Sequence, residues 1–331
     1  MSKMSTKLVR HVLTGPTMGT RWQAVFHVPE GYGTLPVQSA LQSAVGAVDK
    51  QMSTWKPDSD LMRINRAATG QWIDIPQALV TVLHTAFDIG RASGGAFDIG
   101  VGDAVSAWGF GPAPAEKTAI RAALDTKRRP AHDLLELDAD NLRARKLAEV
   151  TFDLSGIAKG YGVDCLAEVL LGYGIPAGLV MIDGEVRAMG AKPNGDPWAI
   201  VIERPDHLAR TAHSILTLED AAVATSGDYR HWVTVAGQRL SHTIDPANGG
   251  PLKTSPASVS VIAPTCMVAD AWATALMVKG SVAGAAVARA HNLDALFLDR
   301  DGSHLRETRV GNVFGSSEKA RPSVPMTVGT L

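Results

Sequence analysis

Asp270 and Thr274 stand four residues apart in Ala269-Asp270-Ala271-Trp272-Ala273-Thr274. On a helix that spacing puts both oxygens on one face. A carboxylate beside a hydroxyl suits Mg²⁺, which takes oxygen ligands and shares its shell with substrate phosphate. A solvated helix face carries the same pair without any metal. A second segment, Asp153-Leu154-Ser155-Gly156-Ile157-Ala158-Lys159-Gly160-Tyr161-Gly162-Val163-Asp164, reads as a strand running into a helix start. Free amides at a helix N-terminus favour anions such as phosphate, and small residues let a ligand approach. Lys159 adds charge there, and Tyr161 and Asp164 are placed to face a ligand. An ordinary strand-to-helix connection looks similar. A third segment, Ser241-His242-Thr243-Ile244-Asp245-Pro246, presents one of the ten histidines just before a sharp turn. Histidine is the natural general base near neutral pH, although for this segment by itself a structural histidine is the better reading. The fourth, Thr225-Ser226-Gly227-Asp228-Tyr229-Arg230, is a polar turn that suits either a phosphate or a plain cap.

The surrounding pattern predicts the elements that hold these segments. Thr20 to Val28 alternates at strand period. Val37, Leu41, Val45, Val48 and Met52 mark one helix face entered after Pro36. Leu79 to Ile89 gives a second amphipathic helix with a Ser93-Gly94-Gly95 stop. Leu134–Leu137 and Leu142–Arg145 flank a hairpin turn. Val150 to Leu154 reads as a strand, with Ser155 capping the helix that follows. Strands are also predicted at Leu179–Ile182, Ala199–Ile202, Ser258–Ile262 and Leu296–Leu298, and a hairpin over Trp232 to Ile244. Two helices, Met267–Val278 and Ser281–His291, precede the last strand. The mixture predicts an α+β fold with mixed, largely antiparallel sheets, packed helices and two intimately associated lobes. The expected organisation is an N-terminal extension over 1–13, one catalytic domain over 14–315 and a mobile tail over 316–331.

Composition narrows the function. The chain has 331 residues, 45% hydrophobic and 20% charged, so a sizeable core is available. Net charge is -1, and no basic block reads as a nucleic-acid or membrane patch. Lys127-Arg128-Arg129 is expected to be a solvated loop. Cys165 and Cys266 show neither zinc nor disulfide spacing. No transmembrane segment and no export signal are predicted, which places the chain in the cytoplasm as the sequence stands. Gly100-Val101-Gly102 lacks the third glycine and the strand-helix context of a Rossmann fingerprint.

Taken together, the ordered blocks resemble the FAD:protein FMN transferases, the ApbE-type flavin transferases once named as thiamine-biosynthesis lipoproteins. The resemblance runs from Thr14 to Phe297. It rests on Thr17-Met18-Gly19-Thr20, Met52-Ser53-Thr54-Trp55 with Asp58-Ser59 and Asn65, Gly94-Gly95-Ala96-Phe97-Asp98, Trp108-Gly109-Phe110-Gly111, Ile157-Ala158-Lys159-Gly160, Thr225-Ser226-Gly227, Ser241-His242 to Asp245-Pro246, and Ala269-Asp270 to Thr274. The resemblance implies that Mg²⁺ is held by Asp270, Thr274 and the backbone carbonyl of Ala158. It implies FAD contacts from Met18, Trp55, Ala96, Phe97, Asp98, Tyr161, Asp164 and Ile244, with Lys159 assisting and His242 as the base. The expected reaction moves FMN from FAD onto a Thr or Ser of an acceptor protein and releases AMP. FAD pyrophosphatase activity, or flavin carriage without catalysis, are the alternatives. In two respects the chain departs from the family. Asp183-Gly184-Glu185 stands where Gly-Gly followed by Asp or Asn is usual, and many relatives are periplasmic lipoproteins.

Overall fold

The computed structural model describes residues 7–206, 210–229, 232–235, 238–252, 256–302 and 304–315. The tail expected over 316–331, residues 1–6 and Arg230 lie outside the described residues. The main sheet has eight strands: β1 Leu8–Thr17, β2 Thr20–Pro29, β3 Gly178–Ile182, β4 Glu185–Met189, β5 Ala221–Gly227, β6 Ser258–Ala263, β7 Asp294–Asp301 and β8 His304–Val310. Their order in space is their order in the chain. Each strand runs antiparallel to the next. Because direction alternates, the Met18-Gly19 turn, the Asp183-Gly184 turn and the C-terminal end of β5 all lie at one end of the sheet. That end becomes the site.

Four helices matter for positioning: α1 Leu35–Met52, α2 Gln77–Ala92, α3 Ala158–Gly172 and α4 Cys266–Ala290. The apolar face predicted for α1 is its buried face. Serine and two left-handed glycines, Gly94 (φ 61) and Gly95 (φ 78), stop α2 as expected. The two helices expected after Met267 form one run broken at Gly280, whose φ of 74 only glycine adopts readily.

Alternation along β2 divides the core. Trp22, Ala24 and Phe26 pack on Leu41, Val45, Leu166 and Leu170 of α1 and α3. Val25 faces the other way, beneath Trp198, Ile200 and Leu216 of a separate hairpin, Trp198–Glu203 with Ala212–Leu218. A further cluster fuses the insertion between β2 and β3 to the sheet, since Phe97 and Phe152 share it with Val259, Leu276 and Phe297. Each such side chain, once buried, contributes about 1.5–3 kcal/mol. The α+β, antiparallel architecture is therefore as the sequence predicts.

Several elements differ from expectation. Residues 8–13, read as an extension, belong to β1, which pairs with β2 along its whole length. Residues 150–154 are not a strand. Their backbone is satisfied elsewhere: the Asn65 side chain both donates to and accepts from Phe152, at 2.9 and 2.8 Å, and Asp153 donates to the Ile99 carbonyl. Ser155 does not cap α3, because Asp153 accepts its amide in a tight turn and the helix begins at Ala158. Arg128 is not solvated. Its side chain is 9% exposed, and its guanidinium grips Asp103 through two bonds of 3.0 and 2.9 Å. Among the described residues, α4 is long and apolar enough to cross a bilayer, contrary to the reading that no window suffices, but half of that stretch is buried inside the fold.

Candidate active site

At the turn end of the sheet lies a cavity of about 620 Å³, within the usual range of ligand clefts. Its rim and floor come from elements far apart in the chain. The Met18-Gly19 turn, Ala96-Phe97-Asp98 after α2, the start of α3, the Asp183-Gly184 turn, the end of β5, the His242–Ile244 segment and α4 all contribute.

The floor is formed where α3 meets α4. Asp270 is 4% exposed, and its Oδ2 accepts the Gly160 amide at 3.0 Å. A Cβ on Gly160 would overlap the Cys266 carbonyl and sit 2.8 Å from the Asp270 Cβ, so only glycine allows this approach. Gly156 plays a similar part beside Thr274. Thr274 shares a 3.2 Å hydroxyl contact with Ser226 at the end of β5. Asp270 and Thr274 thus reach the cavity together, from one face of α4.

Charge is concentrated beside them. Lys159 Nζ lies 2.6 Å from Glu185 Oε1 and 4.0 Å from Asp183. Burial works against the Lys159 charge, but Glu185, Asp270 and Asp183 together hold its pKa above the ordinary lysine value. Burial, then the neighbouring Glu185 charge, push the Asp270 carboxyl up to about 7. Three carboxylates around one ammonium leave an excess of negative charge, the condition a divalent cation relieves. Among the described residues no trio of His, Cys, Asp or Glu side chains forms a ready-made metal cage. The donors that the cavity wall supplies are a carboxylate and a hydroxyl on α4; the Ala158 carbonyl, which the resemblance adds, belongs to a buried residue outside that wall. This oxygen set fits Mg²⁺, which completes its shell with phosphate and water.

The remaining predicted residues divide by location. Met18 lines the cavity from a left-handed turn position (φ 43). Ala96, Phe97, Asp98, Lys159, His242 and Ile244 line it as well. The Asp98 carboxyl is raised by burial, while the amides of Gly100 and Ala131 draw it back down. His242 is half-buried, with Phe110 edge-on at 6.4 Å. Asp245 does not orient it by any described bond; both its oxygens are used within the following turn, on Ala247 and Asn248. Tyr161 and Asp164 do not line the cavity. The Tyr161 phenol is pushed up to about 12 by burial and the neighbouring Cys165. Asp164 accepts the first amides of α4, from Cys266 and Met267, and pairs with Arg187 at 2.9 Å. Trp55 stands 64% exposed on the loop after α1, outside the cavity wall. Ala158 is buried at the first position of α3.

Sequence reasoning did not single out Glu185, Tyr229 or the 199–203 wall as lining residues. The lone signal for Glu185 was its place in Asp183-Gly184-Glu185, where Gly-Gly followed by Asp or Asn is usual. Asp228 of the fourth segment is held by Arg300 at 2.6 and 2.7 Å, which anchors that turn to β7.

The model of the ApbE family matches residues 18–297. This chain belongs to the ApbE family. Among its relatives, a protein named FAD:protein FMN transferase from Vibrio cholerae is 35% identical over 297 residues, covering 89% of each chain. The solved structure titled Flavin Transferase ApbE from Vibrio cholerae superposes with a TM-score of 0.81 at 33% identity, covering 92% of this chain and 98% of that one. The apo Pseudomonas stutzeri flavinyl transferase ApbE gives 0.81 at 32% identity, covering 93% and 98%. The ApbE-family match spans the whole cavity, from Met18 at its rim to Thr274 at its floor.

Proposed function

We propose that this chain cleaves FAD at its pyrophosphate and places the FMN half on a Thr or Ser hydroxyl of an acceptor protein, with Mg²⁺ required and AMP released. The Vibrio cholerae relative is named FAD:protein FMN transferase, and both solved neighbours are titled as flavin transferases. The observation that carries the reading here is one cavity lined by His242, Lys159, Asp270 and Thr274, which three separate segments supply.

The residues divide the work by chemistry. Lys159, at the positive N-terminal end of α3, meets the pyrophosphate. Asp270, Thr274 and the Ala158 carbonyl hold Mg²⁺, which when bound screens the phosphate charge and polarises it as a Lewis acid. His242 accepts the proton of the acceptor hydroxyl. The freed oxygen forms its bond to the FMN-side phosphorus as the bond to the AMP phosphate breaks, and AMP leaves with that electron pair. Met18, Phe97 and Ile244 provide apolar wall for the flavin or adenine. Incubation with FAD, Mg²⁺ and candidate acceptor proteins, read by mass spectrometry, tests the assignment. The acceptor gains the mass of FMN if it holds; free FMN and AMP with an unmodified acceptor would indicate hydrolysis instead.

A further inference from the structure

We propose that Glu185 is a positioning residue for this transfer, acting on the FAD pyrophosphate through Lys159; the inference rests on the reading above. Glu185 opens β4 directly after the Asp183-Gly184 turn. Lys159 is the second residue of α3. The two are 26 positions apart in sequence, yet they meet at 2.6 Å on the cavity floor.

Glu185 is 2% exposed, and its second oxygen, Oε2, is buried with no hydrogen-bond partner. An orphaned, buried carboxylate oxygen is destabilising, and an apolar side chain would fill the same place at less cost. Such groups persist where they set the geometry of a site. Arg187, two residues further along β4, is engaged with Asp164. Among the described residues, the hydrogen bond and ion pair of the Glu185 carboxylate go to Lys159. An ammonium has three donors. One is fixed on Glu185, which draws the flexible side chain to the floor beside Asp270 and leaves the other donors for a ligand in the cavity.

This arrangement has opposite effects on binding and on rate. The Glu185 charge competes with an anionic ligand for Lys159, so it does not tighten the ground-state complex. What it contributes is the direction from which Lys159 meets the phosphate as charge develops there.

A double-mutant cycle over Glu185→Gln and Lys159→Met tests this, with transfer rate at saturating FAD and FAD affinity measured on each purified protein. Glu185→Gln keeps shape and one acceptor oxygen. It is expected to lower the rate about 10- to 100-fold, the size of one charge-assisted hydrogen bond, with FAD affinity unchanged or tighter. The double variant, which leaves neither charge buried alone, is expected to match Lys159→Met within about twofold. If the two losses multiply instead, Glu185 does not act through Lys159 and the inference falls. It falls equally if Glu185→Gln lowers rate, FAD affinity and melting temperature together, because that is the pattern of a structural residue. A wild-type protein that fails to bind FAD would overturn the functional reading itself, an outcome separate from either.

Discussion

The carboxylate of Asp270 accepts the backbone amide of Gly160 at 3.0 Å, so the helix start expected to meet phosphate is joined directly to the residue expected to meet Mg²⁺. Two sequence signals that are weak alone become one site through this contact. The contact depends on the missing side chain at Gly160. Gly160→Ala forces α3 away from α4, because the added methyl meets backbone rather than a flexible tip. Overpacking of this kind costs about 1–3 kcal/mol. The expected outcome is a lowered melting temperature and a loss of transfer larger than the unfolded fraction explains. Thermal denaturation and transfer assays on one preparation check it; native activity in Gly160→Ala would show that the helices tolerate separation.

Asp270→Asn keeps the shape and removes the charge. Burial and Glu185 already disfavour the ionised form of Asp270, so the empty protein is not expected to lose stability when that charge goes. Transfer should be lost, and Mg²⁺ should no longer strengthen FAD binding. Calorimetric titration of FAD with and without Mg²⁺ measures this. Undiminished wild-type activity in excess chelator would remove metal from the reaction.

Trp55 gives a separate test of the family-based contacts, because it lies outside the cavity wall and is 64% exposed. Stacking of an aromatic ring on a base is worth about 1–3 kcal/mol. Trp55→Ala is therefore expected to weaken FAD binding by about 5- to 150-fold, with melting temperature unchanged because so little of the ring is buried. Fluorescence titration with FAD reads the affinity directly. An unchanged affinity would leave Trp55 as a surface residue.

What the sequence disclosed follows physical range. The apolar face of α1, the glycine stop of α2 and the Asp270/Thr274 pair are periodic or local features, and each stands where the spacing places it. β1 was hidden because it is an edge strand whose residues are mostly exposed or half-exposed, so its alternation carries little hydrophobic contrast. The false strand at 150–154 has the right composition, but its hydrogen bonds go to Asn65, some 87 positions away. The Lys159–Glu185 pair and the Asp164 cap on α4 are non-local in the same sense. A helix start is visible in a sequence; the carboxylate that will face its lysine is set by strand order.

His242 lies on the segment between two short hairpins and lines the same cavity as the α3–α4 floor. It is half-buried, and Phe110 stands edge-on to its ring. Neither feature makes it a holder of pyrophosphate, and the Asp245 carboxylate that would be its natural partner is used within its own turn. A general base contributes about 10²–10⁴ in rate. His242→Ala is expected to lower transfer by that factor while FAD affinity and melting temperature stay near wild type. If His242 instead binds pyrophosphate, affinity falls along with rate. Titration of FAD and a transfer time course on the same purified variant separate the two. Full transfer in His242→Ala would take the histidine out of the reaction and direct the search for the base to the carboxylates of the cavity, Asp98 and Asp153 first, because burial raises both toward the range in which a base works.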